Sequence, residues 1–162
     1  MKKTILLAVI FVGILFCAVS YSDIHYSTAV GRQAPALSVS NESQTFRLDD
    51  LRGKYVLLNF WKSTDALSRR SANVYTAWQR QHPEAAMEVV SVNFDTNPTL
   101  FREIARRDDL NLSSQFMVCG DTARAVESTF GLQKGFGTLL INPQGKIIAH
   151  NPSEAQLNEL IK

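Results

Sequence analysis

Cysteine is scarce in this 162-residue chain, which contains only Cys17 and Cys119. Cys17 lies inside an apolar N-terminal segment, so cleavage of that segment would leave one cysteine and exclude an intramolecular disulfide. A single remaining cysteine is either buried as a small hydrophobic side chain or reacts with a thiol or disulfide of another molecule. We predict that Cys119 is buried, and we keep a redox-active Cys119 thiol as the alternative.

The chain also lacks an excess of either charge. It has 17 basic and 15 acidic residues and a formal net charge of +2, and it has no long basic run, which argues against nucleic acid binding. Its three histidines, His25, His82 and His150, lack the spacing of metal ligands. We therefore predict no metal site, and we predict no cofactor. With 45% hydrophobic and 20% charged residues, the composition is that of a soluble protein with a real core.

No hydrophobic run reaches the roughly 20 residues of a membrane-spanning helix. The longest run, residues 5–19, follows Lys2 and Lys3 and precedes small residues, which is the pattern of an export signal cleaved before Tyr21. Retention of residues 5–19 as a membrane anchor is the alternative, and the bulky residue before Cys17 disfavours lipidation. We divide the chain into a signal peptide or anchor (1–20), a linker (21–30) and one domain (31–162).

Two apolar runs predict the buried strands of a parallel sheet. Residues 55–61 are almost continuously apolar, as expected for a strand that is covered on both faces, and residues 87–94 ("MEVVSVNF") are predicted to form a second buried strand. Between them, a helix is predicted from near Ala66 to the stop at Pro83. Its predicted buried stripe consists of Leu67, Val74, Tyr75 and Trp78.

Shorter signals complete the order of elements. A hairpin is predicted around residues 40–43, a helix after Asn97-Pro98, and another helix capped by Asp121 or Thr122 and ended by Gly131. The predicted order is hairpin, β, α, β, α, β, α, β, β, α. It indicates an α/β protein with a mixed central sheet, flanked by helices on both faces.

Three stretches together resemble a known family. "GRQAPALSV", "LDDLRGKYVLLNFW" and "GFGTLLINPQGKIIAH" are similar to the landmarks of exported thioredoxin-like proteins of the TlpA and ResA type, relatives of the redoxin and AhpC/TSA group. The resemblance covers nearly all of the chain from Gly31 onward. It implies a thioredoxin-like fold with an N-terminal β-hairpin and an inserted helix and strand at about residues 96–118. It also implies a periplasmic or cell-envelope location.

The resemblance fails at the residues that carry the family's chemistry. In active members a Cys-x-x-Cys motif follows the Phe-Trp strand end, and here Asp65 and Ser68 stand at the two cysteine positions. The second landmark of the family contains a cis proline, where this chain has Gly137. A cis bond before a non-proline residue costs about 2.5–4 kcal/mol, so we predict a trans bond before Gly137.

These substitutions change what the site can do. Thiol–disulfide exchange needs a thiolate as nucleophile, and neither a carboxylate nor an unactivated hydroxyl replaces it. Asp65 is instead well suited to cap the following helix. A hydrolytic role for Asp65 and Ser68 is disfavoured because no base or oxyanion site is evident.

The sequence therefore predicts a degenerate, redox-inactive member of the family that serves as a binding or assembly module. An envelope protein or peptide is the expected partner, and stabilisation of an active paralogue is one form that such a role could take. The alternative is a thiol–disulfide oxidoreductase or peroxide-reactive protein that works through Cys119. The predicted binding groove consists of Trp61, Lys62, Ser63, Thr64, Asp65, Phe136, Gly137 and Thr138.

Overall fold

A computed structural model describes residues 28–161 of the chain. The predicted signal peptide or anchor, Cys17 and His25 lie outside the described residues, as does most of the predicted linker. Among the described helices, none is both long enough and apolar enough to cross a membrane.

The described residues form seven strands and four α-helices, close to the predicted order. Strands β1 and β2 are a hairpin, and β6 and β7 are joined by a tight turn at residues 142–145. The strands are β1 (Ser38–Ser40), β2 (Thr45–Arg47), β3 (Tyr55–Trp61), β4 (Met87–Asn93), β5 (Gln115–Met117), β6 (Thr138–Ile141) and β7 (Ile147–His150). The helices are α1 (Ala66–Gln81), α2 (Pro98–Arg107), α3 (Gly120–Phe130) and α4 (Glu154–Leu160).

The central sheet has five strands in the order β5-β4-β3-β6-β7. Strands β3, β4 and β5 are parallel, whereas β6 is antiparallel to β3 and β7 is antiparallel to β6. The mixed sheet, the separate hairpin and the helix and strand inserted between residues 96 and 118 confirm the predicted fold class. Because β3, β4 and β5 run the same way, they end at one edge of the sheet, where β6 begins. We call this the C-terminal edge.

Alternating residues of β3 pack against opposite faces of the sheet. Val56, Leu58 and Phe60 contact the hairpin and α3, whereas Leu57 and Trp61 pack with the helices of the other face. All five side chains are 0–2% exposed. Burying one Leu or Phe side chain stabilises a fold by about 1.5–3 kcal/mol. Because β3 buries five large side chains on both faces of the sheet, it is the centre of the core.

Two local predictions about the helices are wrong. Leu67 was expected on the buried stripe of α1, but it is 78% exposed, because the inward position of the first turn is occupied by Ser68. The N-cap of α3 is Cys119 rather than Asp121 or Thr122. The helix starts earlier because Gly120 adopts a φ of +56°, which allows the chain to turn directly from β5 into the helix.

Candidate functional site

The two segments predicted to form the site meet at the C-terminal edge. Asn59, near the end of β3, pairs in register with Thr138, at the start of β6. The backbone N–H of Phe60 donates to the carbonyl of Gly137 over 3.0 Å. Residues 62–65 and residues 136–138 are therefore neighbours, although about 70 residues separate them in the sequence.

Asp65 caps helix α1, as the sequence predicts. Its backbone is extended, with φ −99° and ψ 108°, and its Oδ1 accepts a hydrogen bond from the backbone N–H of Ser68 over 2.8 Å. Hydrogen bonds from Ser68, through its hydroxyl and its backbone N–H, hold the pKa of the Asp65 carboxyl below its usual value. The residue at the first cysteine position is thus a carboxylate that satisfies a free N–H group of the helix.

Ser68, at the predicted second cysteine position, is buried and forms hydrogen bonds within the first turn of α1 and the loop before it. Its hydroxyl donates to the carbonyl of Asp65 and accepts from the N–H of Lys62, each over 3.3 Å. Neither described histidine is its base, because His82 bonds to the carbonyl of Trp78 and His150 to that of Thr28. Ser68 therefore holds the β3–α1 loop in place, and among residues 28–161 it has no activating partner of the kind a nucleophile needs.

A buried carboxylate that the sequence analysis missed anchors this loop. Asp95, only 2% exposed, accepts from the backbone N–H of Ser63 over 3.0 Å and also from the Ser63 hydroxyl. Asn93 donates its Nδ2 to Asp95 over 3.0 Å and accepts the Asp95 N–H over 2.8 Å. The signal in the sequence was an acidic residue two positions after the end of β4, since the ends of neighbouring parallel strands lie at one edge.

Two members of the predicted groove are buried rather than exposed. Trp61 is 0% exposed, and its Nε1 donates to Oε1 of Gln115 over 3.0 Å. Thr138 is 1% exposed, and its hydroxyl donates to Oδ1 of Asn59 over 2.8 Å. Both side chains point into the sheet–helix interior because they lie on the α1-facing side of the strands. They support the site from below and do not line its surface.

The accessible part of the edge therefore consists of the remaining predicted residues together with Leu67. Phe136 is half-buried and packs on Phe94, with ring centroids 5.2 Å apart. Leu67, two residues after the Asp65 cap, presents an almost fully exposed apolar side chain. The accessible residues are Lys62, Ser63, Thr64, Asp65, Leu67, Phe136 and Gly137, and we call this surface the degenerate site.

Gly137 is preceded by a trans peptide bond, as predicted. The side chain of Asn151 lies over this residue and accepts the backbone N–H of Thr138 over 2.8 Å. A Cβ added at Gly137 would lie 3.2 Å from Oδ1 of Asn151, closer than almost all real Cβ contacts. The glycine therefore leaves room for the amide that holds the β6 start.

The prediction that Cys119 is buried is wrong, because its side chain is exposed. Val118 turns into the core and is 4% exposed, so the next residue, at the N-cap of α3, faces outward. Since β5 is parallel to β3, Cys119 follows the strand at the same C-terminal edge as the degenerate site. Among residues 28–161, no group of three His, Cys, Asp or Glu side chains is arranged to hold a metal ion.

Comparison with known proteins identifies the family. Residues 30–150 match the model of the AhpC/TSA family. The thiol-disulfide oxidoreductase ResA of Bacillus subtilis (strain 168) is 29% identical over 143 residues, which cover 83% of this chain and 77% of the relative. ResA of Bacillus thuringiensis subsp. konkukian is 24% identical over 173 residues, covering 100% of this chain and 98% of the relative.

Solved structures agree with this assignment. A thioredoxin-like protein from Parabacteroides distasonis is 30% identical, with a TM-score of 0.69 over 83% of this chain and 95% of that one. The thioredoxin domain of a thiol-disulfide oxidoreductase from Bacteroides vulgatus is 20% identical, with a TM-score of 0.72 over 83% of this chain and 99% of that one. The second likeness establishes the thioredoxin-like fold alone.

Proposed function

Because this chain belongs to the AhpC/TSA family, with ResA-type thiol-disulfide oxidoreductases among its relatives, we propose that it is an exported binding or assembly module that does not exchange disulfides. The observation that carries the proposal is the chemistry of Asp65 and Ser68. Both positions are occupied by side chains that cap and brace helix α1, and neither can attack a disulfide sulfur.

The partner surface of the proposal is the degenerate site. Its loop is fixed from below by Asp95, so its backbone is ordered before a partner arrives, which lowers the entropic cost of binding. Leu67 and Phe136 are its apolar side chains. An extended segment of an envelope protein, with an apolar side chain for Leu67, fits this chemistry.

Location in the cell envelope is part of the proposal. It is supported by the N-terminal pattern of two lysines, an apolar run and small residues, which is that of an export signal. An exported protein meets partners that carry disulfides, so a fold related to disulfide enzymes but without their thiols could bind such chains without altering them.

Capture of partners from envelope extract tests the proposal. The purified protein is expected to retain the same partner with and without dithiothreitol, because no mixed disulfide is involved. Leu67→Asp is expected to reduce recovery roughly tenfold, the loss typical of a central apolar contact. The matched control is Val30→Asp, which changes another exposed apolar residue (59% exposed) outside the degenerate site. Capture that disappears with reductant, or in Cys119→Ser, would refute the proposal.

The exposure of Cys119 favours a second candidate, a one-cysteine oxidoreductase or peroxide-reactive protein. An exposed thiol at the C-terminal edge can form a mixed disulfide with a partner or be oxidised by a peroxide. Native protein is expected to react with an aromatic disulfide reagent as fast as unfolded protein does, because the thiol is accessible. Only a function lost in Cys119→Ser would support this candidate, since accessibility alone is not activity.

A further inference from the structure

A groove of about 580 Å³ lies between the turn of the β1–β2 hairpin and helix α2, with residues of β5 at its base. No residue of the degenerate site lines this groove. Its volume falls in the range of about 300–1,000 Å³ that is usual for small-molecule sites. The chemistry of its lining defines which class of molecule it can hold.

The base of the groove offers one buried hydrogen-bond donor. Gln115 is 1% exposed, and its Oε1 accepts from the indole Nε1 of Trp61 over 3.0 Å. An indole N–H can only donate, so the orientation of the amide is fixed with its Nε2 on the other side. Among the described residues, Nε2 of Gln115 has no hydrogen-bond partner. A ligand that reaches it must supply an acceptor.

The walls add a positive charge that is not neutralised. Arg102 is paired with Glu42 across the groove over 2.9 Å, so these two charges offset each other. Within residues 28–161, Arg106 has no carboxylate within salt-bridge distance. Asn41 cannot compete for the ligand as a donor, because its Nδ2 already donates to the carbonyls of Ser113 and Gln115. The groove therefore favours an anionic acceptor.

Apart from three serines, Ser40, Ser43 and Ser113, the remaining lining is apolar. Phe101 and Met117 contribute an aromatic ring and a flexible thioether, and Leu112 is one of three large hydrophobic side chains exposed among the described residues. We propose that this groove binds an amphipathic carboxylate of the medium-chain fatty acid class. The carboxylate is directed to Arg106 and Gln115, and the chain covers the apolar wall.

The two tryptophans of the chain provide a direct readout of binding. The Trp61 indole N–H is bonded to Gln115 at the base of the groove, whereas that of Trp78 donates to Asn158 on α4. In ¹⁵N-resolved NMR spectra of the protein, titration with decanoate below its micelle concentration is expected to shift the Trp61 indole signal saturably. A parallel titration with butyrate, which has the carboxylate but a much shorter chain, is the control. Decanoate is expected to shift the Trp78 indole signal no more than butyrate does.

Two surface substitutions separate this site from non-specific association. Arg106→Gln is expected to weaken decanoate binding roughly tenfold, as for loss of a charged hydrogen bond, and Leu112→Ser is expected to weaken it as well. The matched control is Arg107→Gln on the neighbouring arginine, which does not line the groove, and it should change affinity less than twofold.

Decyltrimethylammonium, which has the same chain and the opposite charge, should not shift the Trp61 signal. The proposal would be overturned if decanoate did not bind saturably. It would also be overturned if Arg106→Gln and Arg107→Gln lost the same affinity for decanoate, or if decyltrimethylammonium bound as tightly as decanoate.

Discussion

At the scale of single residues, Asp65 has a structural role as the N-cap of helix α1. Its carboxylate accepts the Ser68 N–H where an active relative would present a thiolate to the same helix end. Both groups are anions at the positive end of the helix dipole. The helix N-terminus, which stabilises a cysteine thiolate, therefore also stabilises the carboxylate of an aspartate cap.

The first prediction concerns this cap. Asp65→Ala is expected to lower the free energy of unfolding at pH 7 by about 1 kcal/mol, because a free N–H of the first helical turn loses its acceptor. Asp65→Asn should retain most of the stability, since an amide oxygen also caps. Urea unfolding followed by circular dichroism measures both changes. If Asp65→Asn lowered the free energy of unfolding as much as Asp65→Ala does, the hydrogen bond to the helix would not be the source of the stabilisation by Asp65.

The second prediction gives the sign of the pH dependence. The pKa of Asp65 is lowered in the folded protein, so the ionised group stabilises the fold above its unfolded pKa of about 3.9. That contribution is lost as the pH falls through the lower folded value. The stability difference between wild type and Asp65→Asn should be constant from pH 6 to 8 and decline below about pH 4. A difference that grew toward acid pH would contradict the assignment.

Residue-level predictions from sequence succeeded for the Asp65 cap and failed for the exposure of Leu67 and Cys119 and for the cap of α3. The Asp65 cap depends on a helix start that the sequence marks clearly. The exposure of Leu67 and Cys119 depends on which neighbour takes the inward position, Ser68 in one case and Val118 in the other. Only one of two adjacent residues takes the inward position, and the periodic pattern of the sequence does not determine which one is buried.

At the scale of elements, an ion pair fixes helix α1 to the end of α2. Nε and Nη2 of Arg69 donate to the two carboxylate oxygens of Asp108 over 2.5 and 2.6 Å. The side chain of Asp108 is only 8% exposed, and its hydrogen bonds with Arg69 lower its pKa. Because the two residues are 39 positions apart, no local pattern in the sequence pairs them.

The third prediction tests this link. Arg69→Met is expected to lower the free energy of unfolding by about 2 kcal/mol, because it leaves the largely buried Asp108 carboxylate without its guanidinium partner. The loss is smaller than for a fully buried pair, because Arg69 is partly exposed to solvent. Arg70→Met, on the exposed neighbour, is the control and should change stability by less than about 0.5 kcal/mol. Equal losses would refute a specific role for the Arg69–Asp108 pair.

The strands were the elements best predicted from sequence. Residues 55–61 form β3 as predicted, and β4 ends one residue before its predicted end. Continuous apolar runs are a strong signal because they suit a strand that is covered on both faces. The groove beside α2 was not predictable, because it arises from the way the hairpin turn, α2 and β5 come together.

At the scale of the whole molecule, the thioredoxin-like fold is complete, and its two predicted site segments meet at the C-terminal edge. The sequence predicts that Asp65 and Ser68 match the two cysteine positions of the family and that Gly137 matches its proline position. The scaffold still brings these segments together, through the register of Asn59 with Thr138 and the hydrogen bond from Phe60 to Gly137. An ordered surface of this kind suits the proposed binding function.

The fourth prediction tests the absence of disulfide exchange most directly. Insulin reduction by dithiothreitol is followed as turbidity with and without the purified protein, in parallel with its Cys119→Ser variant. The predicted result is that neither protein accelerates the reaction above the no-protein control, because no thiol stands at Asp65 or Ser68. Clear acceleration by the wild type that disappears in Cys119→Ser would contradict this account and assign the activity to Cys119.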